Sequence, residues 1–229
     1  MTATGAATLA APAPFPSDPP MTQARPRFRR YTSEVRAAML VEAGLACLAR
    51  GGILAFTIDN ICREASASRG LITHHFGSKD GLLAAVYAAA YRPMLESLAP
   101  ATEPPPDLMA IIERVFDTYN FTHDSLNVWL ALWGEIATNP ALQAEHRKHY
   151  ALYRATVARA IADLARTRGL QIDAGDLAIS VIALIDGLWL EQGIDPELLS
   201  PARSIAACRR ILEPILGPLR PAETDLPAA

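Results

Sequence analysis

Arg69, Gly70, Thr73 and His74 stand at i, i+1, i+4 and i+5 of a stretch that reads as a short helix, which gathers them on one side. Small, polar and basic side chains on one helix face suit a helix lying in the major groove of DNA. An Arg there can bind guanine through two hydrogen bonds, and Leu71 is a candidate for a thymine methyl contact. His75 completes the candidate base-facing set. Thr57, Ser68 and Lys79 lie at the starts of successive helices and are candidates for positioning phosphates. A second group has different chemistry. Trp129 and Trp133 are four residues apart, and Asp186 and Trp189 are three apart, so each pair shares a helix face. Tyr119, Tyr153 and Glu135 can approach the same space. Aromatic faces around a cation, with a carboxylate nearby, form a cage for a quaternary ammonium ion. The alternative is that the tryptophans are core and that Asp186 bonds a backbone group or an Arg at a subunit interface. An unpaired buried Asp186 would cost several kcal/mol.

The elements that must position these residues are helices. Thr57 suits an N-cap, with Ile58, Ile61 and Ala65 following at helical spacing. Ser66-Ala67-Ser68 breaks the pattern, and Ser68 can cap the next helix, whose inward residues are Ala67, Ile72 and Phe76. Gly77-Ser78 stops that helix, and Ser78-Lys79-Asp80 starts another, which runs to about Leu98 and which Pro93 should kink or restart. Upstream, a helix from Thr32 or Ser33 to Ala49 presents Val35, Met39, Ala43, Ala46 and Leu48, and Gly51-Gly52 ends it. Downstream, helices are expected over about 107–122, 125–137, 140–168, 173–192 and 201–216. The result is an all-α fold of about nine helices: a three-helix, helix-turn-helix DNA-binding domain over 32–79, then a helical ligand-binding and dimerisation domain over 80–217. A loose tail over 218–229 follows.

The string from Thr57 through Ile61, Ala65-Ser66-Ala67-Ser68, Gly70 and His74-His75-Phe76 to Ser78-Lys79 resembles the DNA-binding domain of the TetR family of bacterial repressors. Two residues depart from that pattern. Ser66 replaces the usual turn Gly, so a positive φ there would cost about 1 kcal/mol. Thr73 replaces a Tyr that in many members touches a phosphate. In the C-terminal half, Val128 to Trp133, the Asn139-Pro140-Ala141-Leu142 turn and Leu184 to Leu190 resemble the choline-responsive, BetI-type branch of that family. The resemblance implies a regulator, most simply a repressor, that a small molecule releases from a palindromic operator; a quaternary amine such as choline is one candidate. The rival is an all-α ligand-binding or metabolic protein that does not act on DNA.

Charge distribution favours the regulator. The 229-residue chain carries a net charge of −3, yet residues 25–81 hold nine Arg/Lys and five Asp/Glu, and the remainder after 81 is acidic. A basic end on an acidic body suits a protein that touches DNA at one end only. The N-terminal stretch has six prolines in 26 residues and reads as disordered over 1–31. It ends in Arg25-Pro-Arg-Phe-Arg-Arg30, where Arg29 and Arg30 make either a solvated linker or an arm following the DNA backbone. Hydrophobic residues make up 51%, a soluble globular profile, but uninterrupted apolar runs fall short of the ~18 residues of a membrane span. No signal-peptide pattern is present. Three cysteines without CxxC spacing suit reduced thiols in the cytoplasm. His146 and His149, beside Glu145, Arg147 and Lys148, read as a solvated polar face rather than a metal site. No phosphate loop, nucleophile elbow or catalytic carboxylate pair is present, so neither enzyme activity nor a cofactor or metal is expected. Leu177, Val181, Leu184, Ile185 and Leu188, with Ile205, Ile211 and Ile215, predict a homodimer through the eighth and ninth helices.

Overall fold

A computed structural model describes residues 31–98, 106–117 and 122–220, and nine helices carry the regular structure of these residues, with no strand among them. The chain divides into a unit of residues 1–31 and a unit of residues 32–229, and all nine helices belong to the second. They are α1 (Ser33–Ala55), α2 (Ile58–Glu64), α3 (Arg69–Phe76), α4 (Lys79–Leu98), α5 (Leu108–Val115), α6 (His123–Ile136), α7 (Pro140–Thr167), α8 (Ala174–Ile194) and α9 (Pro201–Leu216). Arg29, Arg30 and Tyr119 lie outside the described residues, as does nearly all of the expected N-terminal tail.

Most helix starts follow their caps. Thr32, Thr57, Asn139 and Ser200 accept from the backbone N–H three residues on, and Asp107 does so at 2.7 Å. Helix α6 begins earlier than expected. Thr122 and Ser125 form a reciprocal capping box, with bonds of 3.0 and 3.2 Å, so Ser125 is the third helical residue rather than the cap. Helix α1 keeps its break at Gly51-Gly52, where φ is −156° and +59°, and resumes helical geometry to Ala55. Its buried face is Leu40, Ala43, Gly44, Cys47 and Leu48, while the predicted Val35 is exposed. Helix α4 runs through Pro93 without interruption. Ser66 does adopt φ +48° in the α2–α3 turn.

Two cores hold these helices. Leu40, Phe56, Ile61, Ile72, Leu82, Leu83 and Val86 centre the first, which also takes Val128 and Leu132 from α6 and Leu142 from α7. The second lies among α5 to α9 and includes Ile111, Ile112, Val157, Ile161, Val181, Ile185 and Leu212. Met94, Leu95 and Trp129 pack against both, so α4 and α6 join the N-terminal helices to the C-terminal body. Asn127 Nδ2 donates to the Ala49 carbonyl at 2.9 Å across the extensive α1–α6 contact.

Two expectations need correction, and a third needs a qualification. Residues 218–220 are docked, not loose: Leu219 is buried, the Arg168 guanidinium donates to the carbonyls of Leu216 and Pro218, and Arg220 pairs with Glu113. His146 and His149 are not on a solvated face. The stretch of α7 that carries them packs on α4, where His149 is buried and stacked on Tyr91 at 5.5 Å, and His146 Nδ1 lies 2.8 Å from the Tyr87 hydroxyl. Finally, α1 and α8 each contain an 18-residue window of mean hydropathy 1.6, long and apolar enough for a membrane span. Charges such as Glu42 and Arg50 in α1 and Asp186 and Glu191 in α8 interrupt both, and each helix packs a face into a core.

Candidate DNA-reading face and effector cavity

Helices α2 and α3 carry the candidate DNA contacts. Ile72 is buried and Ala67 and Phe76 are half-buried against the first core, which leaves Arg69, Gly70, Thr73 and His74 exposed together. Gly70 has nothing within 4 Å of where a Cβ would stand, so nothing inside this chain requires a glycine in that helix. Ser68 occupies the N-cap of α3, yet its side chain makes no capping bond. Thr57 is exposed and caps α2; Lys79 is exposed at the first turn of α4, whose N-terminus Ser78 caps by accepting from Gly81 N at 3.0 Å. The remaining two candidates are less available. Leu71 packs partly against the core, and His75 Nε2 is buried without a hydrogen-bond partner. Arg69 Nη2 lies 2.5 Å from Asp59 Oδ1 in the first turn of α2, an ion pair that the spacing alone did not reveal.

The second group of candidates surrounds one cavity of about 710 Å³, within the range of small-molecule sites. Trp129 and Trp133 from α6, Tyr153 from α7, and Asp186 and Trp189 from α8 all line it. Its remaining wall was not anticipated: Tyr91, Pro93 and Met94 from α4, and Arg114 and Asp117 at the end of α5. Glu135 is absent from the lining. The rings form a continuous series. Tyr91 meets Trp129 edge-on at 4.9 Å, Trp129 lies 6.1 Å from Trp133, and Trp133 meets Trp189 edge-on at 5.7 Å. Tyr91 lies one turn beyond Tyr87 on the same face of α4, but nothing in the sequence ties that helix to the tryptophans of α6 and α8.

Asp186 is one of three charged residues in this lining, with Arg114 and Asp117. Among the described residues its carboxylate has no ion-pair or hydrogen-bond partner, and burial pushes its pKa up to about 6. Among the described residues neither a backbone group nor an Arg bonds it. Its charge reaches Tyr91, Tyr150 and Tyr153, whose hydroxyls burial pushes upward, Tyr91 to about 12, so these rings stay neutral near pH 7. Burial likewise raises Cys47, Cys62 and Cys208, the last to about 11, which suits small core side chains rather than reactive thiols. Among the described residues no group of three metal-ligating side chains occurs.

A smaller cavity of about 310 Å³ lies where α1, α4 and α6 meet. Leu45, Ala46 and Ala49 of α1 line it, and Ala90, Ser125 and Trp129 line both cavities. Trp129 is therefore a wall shared by the large cavity and the junction with α1.

Comparison with known proteins agrees with this geometry. Residues 40–86 match the bacterial regulatory proteins of the tetR family, and residues 104–217 match the C-terminal domain of BetI-type transcriptional repressors. The HTH-type transcriptional regulator BetI 2 of Chromohalobacter salexigens is 32% identical over 192 residues, covering 80% of this chain and 89% of that protein. BetI of Paraburkholderia phytofirmans is 28% identical, covering 80% and 95%. Among solved structures, a protein of Pseudomonas aeruginosa PAO1 described as a transcriptional regulator superposes with a TM-score of 0.73 at 36% identity, covering 82% of this chain and 93% of that one. A regulator from Saccharomonospora viridis, crystallised in complex with choline, shares the fold with a TM-score of 0.63 at 24% identity, covering 80% and 97%. An N-terminal helix-turn-helix with an open recognition face, joined through α4 and α6 to a helical body with an aromatic cavity, places this chain in the TetR family of bacterial transcriptional regulators, with a C-terminal domain of the BetI repressor type.

Proposed function

We propose that this regulator acts in the cytoplasm as a homodimeric repressor that binds a palindromic operator and is released by a small organic cation. The observation that carries the effector assignment is Asp186, without a partner among the described residues, in a cavity walled by Trp129, Trp133, Trp189, Tyr91 and Tyr153. A carboxylate in that setting is stabilised by a cation, and aromatic faces favour a quaternary ammonium over a more strongly hydrated ammonium. Arg69, Gly70, Thr73 and His74 read base edges, and Thr57, Ser68 and Lys79 position phosphates. Leu71 and His75 act as supports of α3.

The dimer surface is narrower than the sequence pattern. Val181 and Ile185 are buried in the protomer's own core, and Leu177, Leu184, Leu188 and Ile205 are half-buried against it. The exposed strip is Ile179, Ala183 and Gly187 on α8, with Ile211 and Ile215 on α9. Four-residue spacing of small side chains on α8 permits a close approach of the partner helix, and the exposed isoleucines supply apolar area. Coupling to DNA runs through the elements shared by cavity and heads, α4 and α6. An effector pressing on Tyr91 and Trp129 changes how α1 and α4 sit, and so the separation of the two recognition helices, provided it binds the two states with different affinity.

Titration calorimetry of the full-length protein with choline tests the effector. Binding that weakens by about 0.5–2 kcal/mol for each of Trp129→Ala, Trp133→Ala and Trp189→Ala supports it. No heat with choline or its close analogues refutes the cationic effector and leaves the DNA reading standing. Salt-dependent binding to the chain's own promoter region tests the latter.

A further inference from the structure

Asp59 is an acid on the face that has to approach phosphates. It sits in the first turn of α2, and its Oδ1 lies 2.5 Å from Nη2 of Arg69, the first residue of α3. Both side chains are more than half exposed, at 59% and 73%. An ion pair that open contributes little to stability, so folding does not explain it. An acid in the first turn also favours the helix dipole, but that effect needs no arginine.

We propose that Asp59 is a specificity-determining positioning residue, holding the Arg69 guanidinium in the orientation that reads a guanine edge. The proposal rests on Arg69 contacting bases. The guanidinium is planar with five N–H donors, and a carboxylate on one corner leaves another edge free for the two guanine acceptors O6 and N7. Without that anchor a long exposed side chain samples many rotamers and must be ordered on binding. The negative charge has a second effect. It opposes the sequence-independent attraction to phosphates, so random DNA loses affinity that the operator regains through the oriented base contact. Thr73 and His74, the other exposed side chains of this face, carry no such partner among the ion pairs of the described residues.

The test uses full-length protein and duplexes selected from a random pool by that protein, with fluorescence anisotropy on the selected and on scrambled duplexes across a salt series. Asp59→Asn keeps the shape and removes the charge, and Asp59→Ala removes both. Each is expected to raise affinity for scrambled DNA a few-fold, to steepen its salt dependence by about one unit, and to cut the selected-to-scrambled ratio about five- to tenfold. In an Arg69→Ala background the same changes should leave the ratio where Arg69→Ala alone puts it. Equal gains on both duplexes, with the ratio unchanged, would overturn the proposal and reduce Asp59 to a bulk charge. If Arg69→Ala alone leaves the ratio unchanged, the base contact itself fails, and the positioning role with it. Thermal unfolding of both variants near the wild-type temperature separates these outcomes from loss of fold.

Discussion

Replacing Asp186 by Asn should make this protein more stable while removing its response to a cation. Burial lifts the carboxyl from its ordinary 3.8 to about 6 in the folded chain. That difference corresponds to roughly 3 kcal/mol at 25 °C, as an upper figure. The sign follows from which state holds the proton more tightly. With the folded pKa raised, the folded state binds the proton better, so the group costs nothing below about pH 4, where both states are protonated. The cost grows between about pH 4 and 6 and is fully present above about pH 6. Asn keeps the shape, cannot ionise, and is free of this cost at every pH. Unfolding of wild type and Asp186→Asn should therefore coincide near pH 4 and diverge by up to ~3 kcal/mol near pH 7. For a chain of this length that is a rise of about 6–12 °C in melting temperature. Scanning calorimetry at several pH values, at equal protein concentration, measures it; titration calorimetry with choline on the same samples should show binding to the wild type only. If the two proteins have equal stability across this range, the carboxylate is well solvated or paired, and the case for a cationic ligand at Asp186 falls with it.

Gly70→Ala should stabilise the fold by about 0.5–1 kcal/mol, since the site has empty space where a Cβ would stand and Ala is the better helix former. The same variant should lose about tenfold or more in operator affinity by anisotropy, because an added methyl would stand between backbone and base edges; unchanged affinity would mean that α3 does not approach that closely. Lys79→Ala should weaken binding to all duplexes alike and lower the salt slope by roughly one unit, and an unaltered slope removes Lys79 from the phosphate contacts. Ile211→Glu places a charge on a side chain that is already 51% exposed, so the protomer should still fold while the dimer dissociates in sedimentation analysis. A dimer that persists moves the interface away from α9.

The helix-turn-helix was legible because its signals are local. Thr57 and Thr32 cap, and Ile61 and Ile72 point inward at helical spacing; the turn position of Ser66, where φ is +48°, came from the family resemblance rather than from a local signal. The body was less legible where the pattern was uniform or the deciding partner lay far away in sequence. Helix α8 is apolar nearly all round, so sequence could not tell Val181 and Ile185, which fill the protomer's own core, from Ile179 and Ala183, which face outward. His149 was misread because Arg147 and Lys148 beside it are exposed, whereas its own position on the helix turns it toward Tyr91 of α4. The Asp59–Arg69 pair joins two helices across a turn, a distance that spacing does not encode.

Asp186 lies between these cases. An acid inside an apolar helix announces that something must compensate it, and the sequence could not say whether that was an arginine, a backbone donor or a ligand. Among the described residues its carboxylate has neither of the first two, and it lines a cavity instead. A charge that destabilises the free protein and is left facing an aromatic cavity is what a ligand site leaves behind when it retains an unfavourable group for binding. On the proposed reading the same position accounts for two quantities of opposite sign, a stability forgone near neutral pH and an affinity gained for a cation. Any account of the cavity as simple imperfect packing has to explain why Asp186, a carboxylate without a partner among the described residues, stands in the same lining as Trp129, Trp133 and Trp189.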